Sequence, residues 1–246
     1  MRYFIELAYN GQAYHGWQIQ PNATSVQAVL QDTIGVLLKK PTELVGAGRT
    51  DTGVHAKYYM AHFDSESEID TQNLTFKLNR IIPFDMVVFR VFPVPDSIHA
   101  RFSAISRTYQ YHIVSRKDPF LNQLAWFVPH TLNVDEMNAA TSILFEYNDF
   151  TSFAKLHSDA KTNNCKIMLA HWEQLNHQLI FHIEADRFLR NMVRAIVGTL
   201  VEVGKGKLTV EDFRSIIESK NRCAAGQSVP AHGLFLTNIL YTNIEI

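Results

Sequence analysis

Segments of two different periods follow one another along this chain, and their order is the strongest limit on its fold. Arg2–Tyr9 alternates Tyr3, Ile5 and Leu7 with Phe4, Glu6 and Ala8, the two-residue period of a strand. Val26, Val29, Leu30, Ile34, Leu37 and Leu38 then recur at helical spacing within Ser25–Lys39. Leu44–Ala47 and Lys57–Phe63 read as strands, and Asp70–Arg80 as a helix stopped by Pro83. Met86–Val94, rich in Val and Phe, reads as a strand. The order is β-α-β-β-α-β, the split or ferredoxin-like arrangement.

The rest of the chain alternates in the same way. Arg107–Val114 reads as a strand, and Asn133-x-x-Glu136 as a capping box for a helix through Leu144. Ile167–Leu175 and Gln178–Glu184 read as a hairpin turning at Asn176-His177. Phe188–Val203 has the apolar face of a long helix ended by Gly204. Thr209-x-x-Asp212 opens a last helix to about Ser219, and Leu234–Tyr241 is a closing strand. The expectation is an α+β protein of two ferredoxin-like or RRM-like halves, residues 1–103 and 104–246. Tyr58-Tyr59 and Phe150–Phe153 suit either a core or an interface.

Composition excludes several classes. Hydrophobic residues make up 46% of the 246 and charged residues 19%, the mixture of an ordinary globular chain. No run of about 18 apolar residues is present, so no membrane association is expected. The opening residues read as a strand and not as a secretory leader. Two cysteines, Cys165 and Cys223, argue against a disulfide framework and for a reducing, cytoplasmic setting. The 11 histidines form no H-E-x-x-H and no zinc-spaced cluster, so no metal is expected. A net charge of −1 argues against coating long nucleic acids by charge alone. A local basic groove remains open to Arg49, Arg101, Arg107, Arg116, Lys117, Arg187, Arg190 and Arg194.

The chemistry concentrates in Gly46-Ala-Gly48-Arg49-Thr50-Asp51-Thr52-Gly53-Val54-His55-Ala56. An Arg and an Asp on a glycine-rich turn do not fill a core. A dinucleotide loop would need a third glycine in G-x-G-x-x-G and a helix opening there, and Asp51 would repel the pyrophosphate. Asp51-Thr52-Gly53 is the tripeptide of aspartic proteases, but those share a proton between two carboxylates. An adjacent Arg49 would hold Asp51 ionised and oppose that sharing. A third reading makes Asp51 a single ionised nucleophile, able to attack a sugar carbon or an electron-poor ring carbon. A purely structural Arg–Asp turn is the bland alternative.

These residues resemble the signature of the tRNA pseudouridine synthase A family, and four further motifs extend the resemblance over nearly the whole chain. They are Tyr9-x-Gly11-x-x-Tyr14-x-Gly16-Trp17-Gln18, then His99-Ala100-Arg101-Phe102-Ser103-Ala104 with Arg107-x-Tyr109-x-Tyr111. Phe188-x-x-x-Met192-Val193-Arg194-x-Ile196-Val197-Gly198 and Gly233-Leu234-Phe235-Leu236 follow in order. One departure is Thr52, where the family most often has Ala. The resemblance implies two α+β domains, a central mainly antiparallel sheet flanked by helices, and an active-site cleft between the halves. It implies isomerisation of uridine to pseudouridine at positions 38, 39 and 40 of the tRNA anticodon stem-loop. It further implies a homodimer that uses no cofactor and no metal.

The family's site residues carry over one by one. Asp51 matches the catalytic Asp, the nucleophile, and Arg194 the basic residue that keeps it charged. Tyr109 matches the active-site Tyr, able to stack on an extruded uracil and help remove its C5 proton. Arg49 matches the Arg that helps flip the nucleotide, and Leu234 an apolar wall of the pocket. His55 reads as structural rather than catalytic. A pure RNA-binding module is the rival class, but such a module has no use for an Asp on a glycine turn.

Overall fold

A computed structural model describes residues 1–155 and 161–242. Nine strands are found among them: β1 (Arg2–Tyr9), β2 (Val45–Gly46), β3 (His55–Asp64), β4 (Met86–Val94), β5 (Ala104–Val114), β6 (Trp126–Phe127), β7 (Ile167–Leu175), β8 (Gln178–Ala185) and β9 (Leu234–Tyr241). Five α-helices accompany them: α1 (Val26–Leu38), α2 (Thr71–Ile81), α3 (Val134–Ser142), α4 (Met192–Gly204) and α5 (Val210–Glu218). The chain is α+β and divides into two compact units, Met1–Ile105 with Leu236–Ile246, and Ser106–Phe235.

In the first unit the strands follow the order β4-β1-β3-β9, with β2 pairing β3. β1 runs antiparallel to both β3 and β4. Its central residues Tyr3, Phe4 and Ile5 are all buried, so both of its faces carry core. Phe4 meets Tyr241 of β9 edge-on with ring centroids 5.7 Å apart. The helices start where capping chemistry dictates. The Ser25 side chain accepts from Ala28 N and the Asp70 side chain from Asn73 N, each satisfying a first-turn donor. Leu30, Ile34, Leu74 and Leu78 are buried on the inner faces of α1 and α2. Each such burial stabilises by about 1.5–3 kcal/mol.

In the second unit β5, β8 and β7 form an antiparallel ladder, with the short β6 parallel to β5. Asn176 takes a φ of 56° at the β7–β8 hairpin. Helices α3, α4 and α5 pack together. Thr209 and Asp212 form a reciprocal capping box at the start of α5. At α3 the Asn133 side chain caps Glu136 N.

The structure differs from the sequence reading in several element limits: β5 starts at Ala104, α3 ends at Ser142 before a short 3-10 turn, and β6 is an added strand. Helix α4 starts at Met192 rather than Phe188, because Asn191 adopts a left-handed φ of 67° that breaks the helical run. The turn after α4 is made by Gly206, whose φ is +70°, while Gly204 is the last helical residue. Tyr59, Phe150 and Phe153 are fully buried core residues.

Candidate active site

Asp51 and Arg49 share one turn in the first unit, between β2 and β3. Arg49 is exposed and Asp51 half-buried. The turn closes through a hydrogen bond from Val54 N to the Asp51 carbonyl at 3.1 Å. Gly53 carries the positive φ, +78°, and its N donates to the Tyr14 carbonyl at 3.2 Å.

Hydrogen bonds hold this turn from residue to residue. The Tyr59 hydroxyl accepts from Gly48 N at 3.3 Å and donates to the Gly48 carbonyl, fixing both main-chain groups of one residue. The Thr50 Oγ1 accepts from Trp17 N at 3.0 Å and lies 3.0 Å from the Tyr9 hydroxyl. His55 is buried, and its Nδ1 accepts from Gly11 N at 3.0 Å. Trp17 stacks on Tyr59 with centroids 4.1 Å apart, and Tyr9 packs against both rings. The glycine turn that carries Asp51 is therefore braced by an aromatic cluster.

The segment Tyr9–Trp17 wraps against the turn with almost no clearance. A Cβ on Gly11 would lie 1.9 Å from the Val54 carbonyl oxygen, and one on Gly16 2.2 Å from the Thr50 carbonyl oxygen. Gly16 also takes a φ of +85°. No side chain fits at either position, which is the physical reason this opening motif holds glycine twice. Gly46 is constrained likewise, since a Cβ there would meet the Trp17 and Tyr59 side chains within 2.4 Å. Tyr14 completes the wrap by donating to Asp85 Oδ1 at 2.6 Å; burial and that carboxylate together push its phenol well above the usual range. The sequence marks these residues as a motif without showing their task. Their partners lie about 30 to 70 positions away and are invisible to periodicity.

Tyr109, Arg194 and Leu234 belong to the second unit. Tyr109 sits on β5 opposite Ile183 of β8 and is half-buried. Its ring meets Phe188 at 90° with centroids 5.2 Å apart. Arg194 lies in the first turn of α4, where its Nε donates to the Val229 carbonyl at 2.7 Å and its own carbonyl accepts from Val229 N at 3.2 Å. The Tyr111 hydroxyl donates to the Pro230 carbonyl at 2.8 Å. The segment entering β9 is thus tied to α4 and to β5, and Leu234 begins that strand buried. His232 in the same segment is pushed below the usual imidazole range by burial and by the nearby Arg194 charge.

The remaining arginines of the expected groove divide in the same way. Arg101 is exposed in the first unit, with its guanidinium 5.5 Å over the Phe102 ring. In the second, Arg107 donates to the Asp186 carbonyl at 2.8 Å, Arg187 is half-buried, and Arg116, Lys117 and Arg190 are exposed. Among the described residues no group of three or more His, Cys, Asp or Glu is placed to hold a metal ion. No helix among them is long and apolar enough to cross a membrane.

Residues 147–242 match a family model described as tRNA pseudouridine synthase. Relatives match almost the entire chain. A tRNA pseudouridine synthase A of Parabacteroides distasonis is 54% identical over 241 residues, 98% of this chain and 96% of that protein. One of Bacteroides fragilis is 55% identical over 242 residues, with the same shares covered. A more distant one, of Bacillus pumilus, is 34% identical over 247 residues, 99% of this chain and all of that protein.

Proposed function

Because this chain belongs to the tRNA pseudouridine synthase A family, and so isomerises uridine to pseudouridine in tRNA, we propose that it acts at positions 38, 39 and 40 of the anticodon stem-loop with Asp51 as nucleophile on a flipped nucleotide. The reaction breaks the bond from ribose C1′ to uracil N1, turns the base, and joins C1′ to C5. The C5 proton leaves and N1 takes up a proton, so atoms balance without a redox or group-transfer cofactor. The Asp51 carboxylate attacks at C1′ or at uracil C6, holding one fragment while the base turns.

The observation that best supports this reading is the restraint on the Asp51 turn. A turn that only joined two strands would need no aromatic cluster bracing it. A nucleophile that must meet one carbon gains from being fixed in advance.

The other roles follow from the family motifs. Arg194 supplies a positive charge for the reaction. Tyr109 stacks on the extruded uracil and assists removal of the C5 proton. Leu234 forms an apolar wall, and Arg49 enters the space the base has left. Basic side chains grip the RNA by shape and charge rather than by sequence. The working form is a homodimer in the cytoplasm, with no metal and no cofactor. Pseudouridine formation on a tRNA anticodon arm tests the roles. Asp51→Asn is expected to bind RNA and turn over none of it, and retained turnover would sink the assignment. Tyr109→Phe separates its two roles, keeping the ring for stacking and losing the hydroxyl for proton transfer.

A further inference from the structure

We infer that Thr50 is a positioning residue for Asp51, its hydroxyl setting the direction in which the carboxylate is presented. The inference rests on the reading of Asp51 as nucleophile. Thr50 directly precedes Asp51 and is held on two sides by one loop. Its Oγ1 takes the Trp17 N–H at 3.0 Å and shares a second hydrogen bond with the Tyr9 hydroxyl at 3.0 Å. Its carbonyl oxygen is pressed against Gly16, where even a Cβ would come within 2.2 Å. Both the side chain and the peptide leading to Asp51 are thereby fixed. On the far side, Val54 N holds the Asp51 carbonyl at 3.1 Å, and Gly53 N is tied to Tyr14.

A hydroxyl is needed here, and not only a side chain of this shape. A hydroxyl accepts and donates at once, so it receives the Trp17 N–H and still engages Tyr9. Valine keeps the volume and the β-branch but leaves the Trp17 N–H without its partner. The wrap would then rest on packing alone, and Asp51 would sample neighbouring orientations. A nucleophile displaced by about 1 Å loses on the order of 100-fold in rate.

The test uses the full chain and an unmodified tRNA substrate. Thr50→Val, Thr50→Ser, Tyr9→Phe and Asp51→Asn are compared for kcat, KM, RNA affinity and thermal melting. Thr50→Val is expected to lower kcat roughly 10- to 100-fold while KM and RNA affinity stay within about threefold. Thr50→Ser keeps the hydroxyl and is expected to recover most of that loss. Tyr9→Phe removes one of the two hydrogen bonds and is expected to fall between them. If Thr50→Val does not fold, Tyr9→Phe decides: a lowered kcat with normal melting supports the inference, and an unchanged kcat overturns it. A folded Thr50→Val with normal kcat overturns it, as does Thr50→Ser failing as badly as Thr50→Val. An active Asp51→Asn overturns the reading of Asp51 and the inference with it. An inert Asp51→Asn beside a fully active Thr50→Val overturns the inference alone.

Discussion

Three glycine-to-alanine changes separate the two costs that the Asp51 clamp avoids. Gly206 has a φ of +70° and nothing within 4 Å of an added Cβ, so Gly206→Ala carries backbone strain alone. A left-handed alanine costs roughly 1–2 kcal/mol, offset by about 0.4–1 kcal/mol from the stiffer unfolded chain. The net loss expected is about 1 kcal/mol. At Gly11 no positive φ is involved, but the added Cβ would sit 1.9 Å from the Val54 carbonyl oxygen. The neighbouring backbone would have to retreat by about 1 Å or more, a forced displacement of the kind that costs roughly 1–3 kcal/mol. Gly16 combines both, with a φ of +85° and a contact of 2.2 Å to the Thr50 carbonyl oxygen. Gly16→Ala should therefore cost about 3 kcal/mol, and lower the melting temperature by roughly 6–12 °C for a chain of this length. Thermal melts of the three variants beside the natural chain supply the comparison. The displaced atom belongs to the residue preceding Asp51, so Gly16→Ala should also lose turnover beyond its loss of folded protein at the assay temperature. Gly16→Ala melting no lower than Gly206→Ala would refute the close contact on which the clamp depends.

Other consequences concern the rest of the molecule. Gly198→Ala in α4 would place a Cβ 1.9 Å from the Gln227 carbonyl oxygen, so it should destabilise by roughly 1–3 kcal/mol and displace the segment that holds Arg194; urea denaturation and turnover measure the two effects. His62 is buried, accepts from Ala100 N at 3.2 Å, and is lowered to about 4 by burial and by Arg2 and His99. The unfolded chain therefore binds the extra proton first, and stability conferred by neutral His62 is lost as pH falls from about 6.5 toward 4. Denaturation at pH 7.5 and pH 5 should show a smaller pH loss for His62→Asn than for the natural chain. RNA affinity should fall steeply with added salt, as expected when arginines displace counterions from phosphates; a titration at three salt concentrations gives the slope, and a flat line would contradict a charge-held complex.

Much of the fold was legible because its signals are local. The limits of β4 and β9 coincide with their alternating patterns, and Thr209 with Asp212 announced α5 through their side-chain chemistry. Misreadings arose where backbone conformation overrode pattern. Phe188 to Asn191 continue an apolar periodicity, yet Asn191 turns left-handed and delays α4. The two-residue β6 is too short to show any period. At the site, Asp51 and Arg49 stood out because charge on a glycine turn has no packing explanation. The task of Gly11, Gly16 and Thr50 could not be read in advance. Glycine and threonine suit many turns, and what demands them here is the close approach of segments distant in sequence. The partner of buried His55, Gly11 N, is likewise set by the approach of a distant segment.

Release of tritium from tRNA labelled at uracil C5 bears most directly on Asp51 as the nucleophile of this isomerase. Joining C5 to the ribose expels the C5 hydrogen, which neither hydrolysis nor simple RNA binding would do. The natural chain is predicted to release tritium to water in step with pseudouridine formed, and Asp51→Asn to bind the same tRNA and release none. Release by Asp51→Asn at the natural rate would contradict the account.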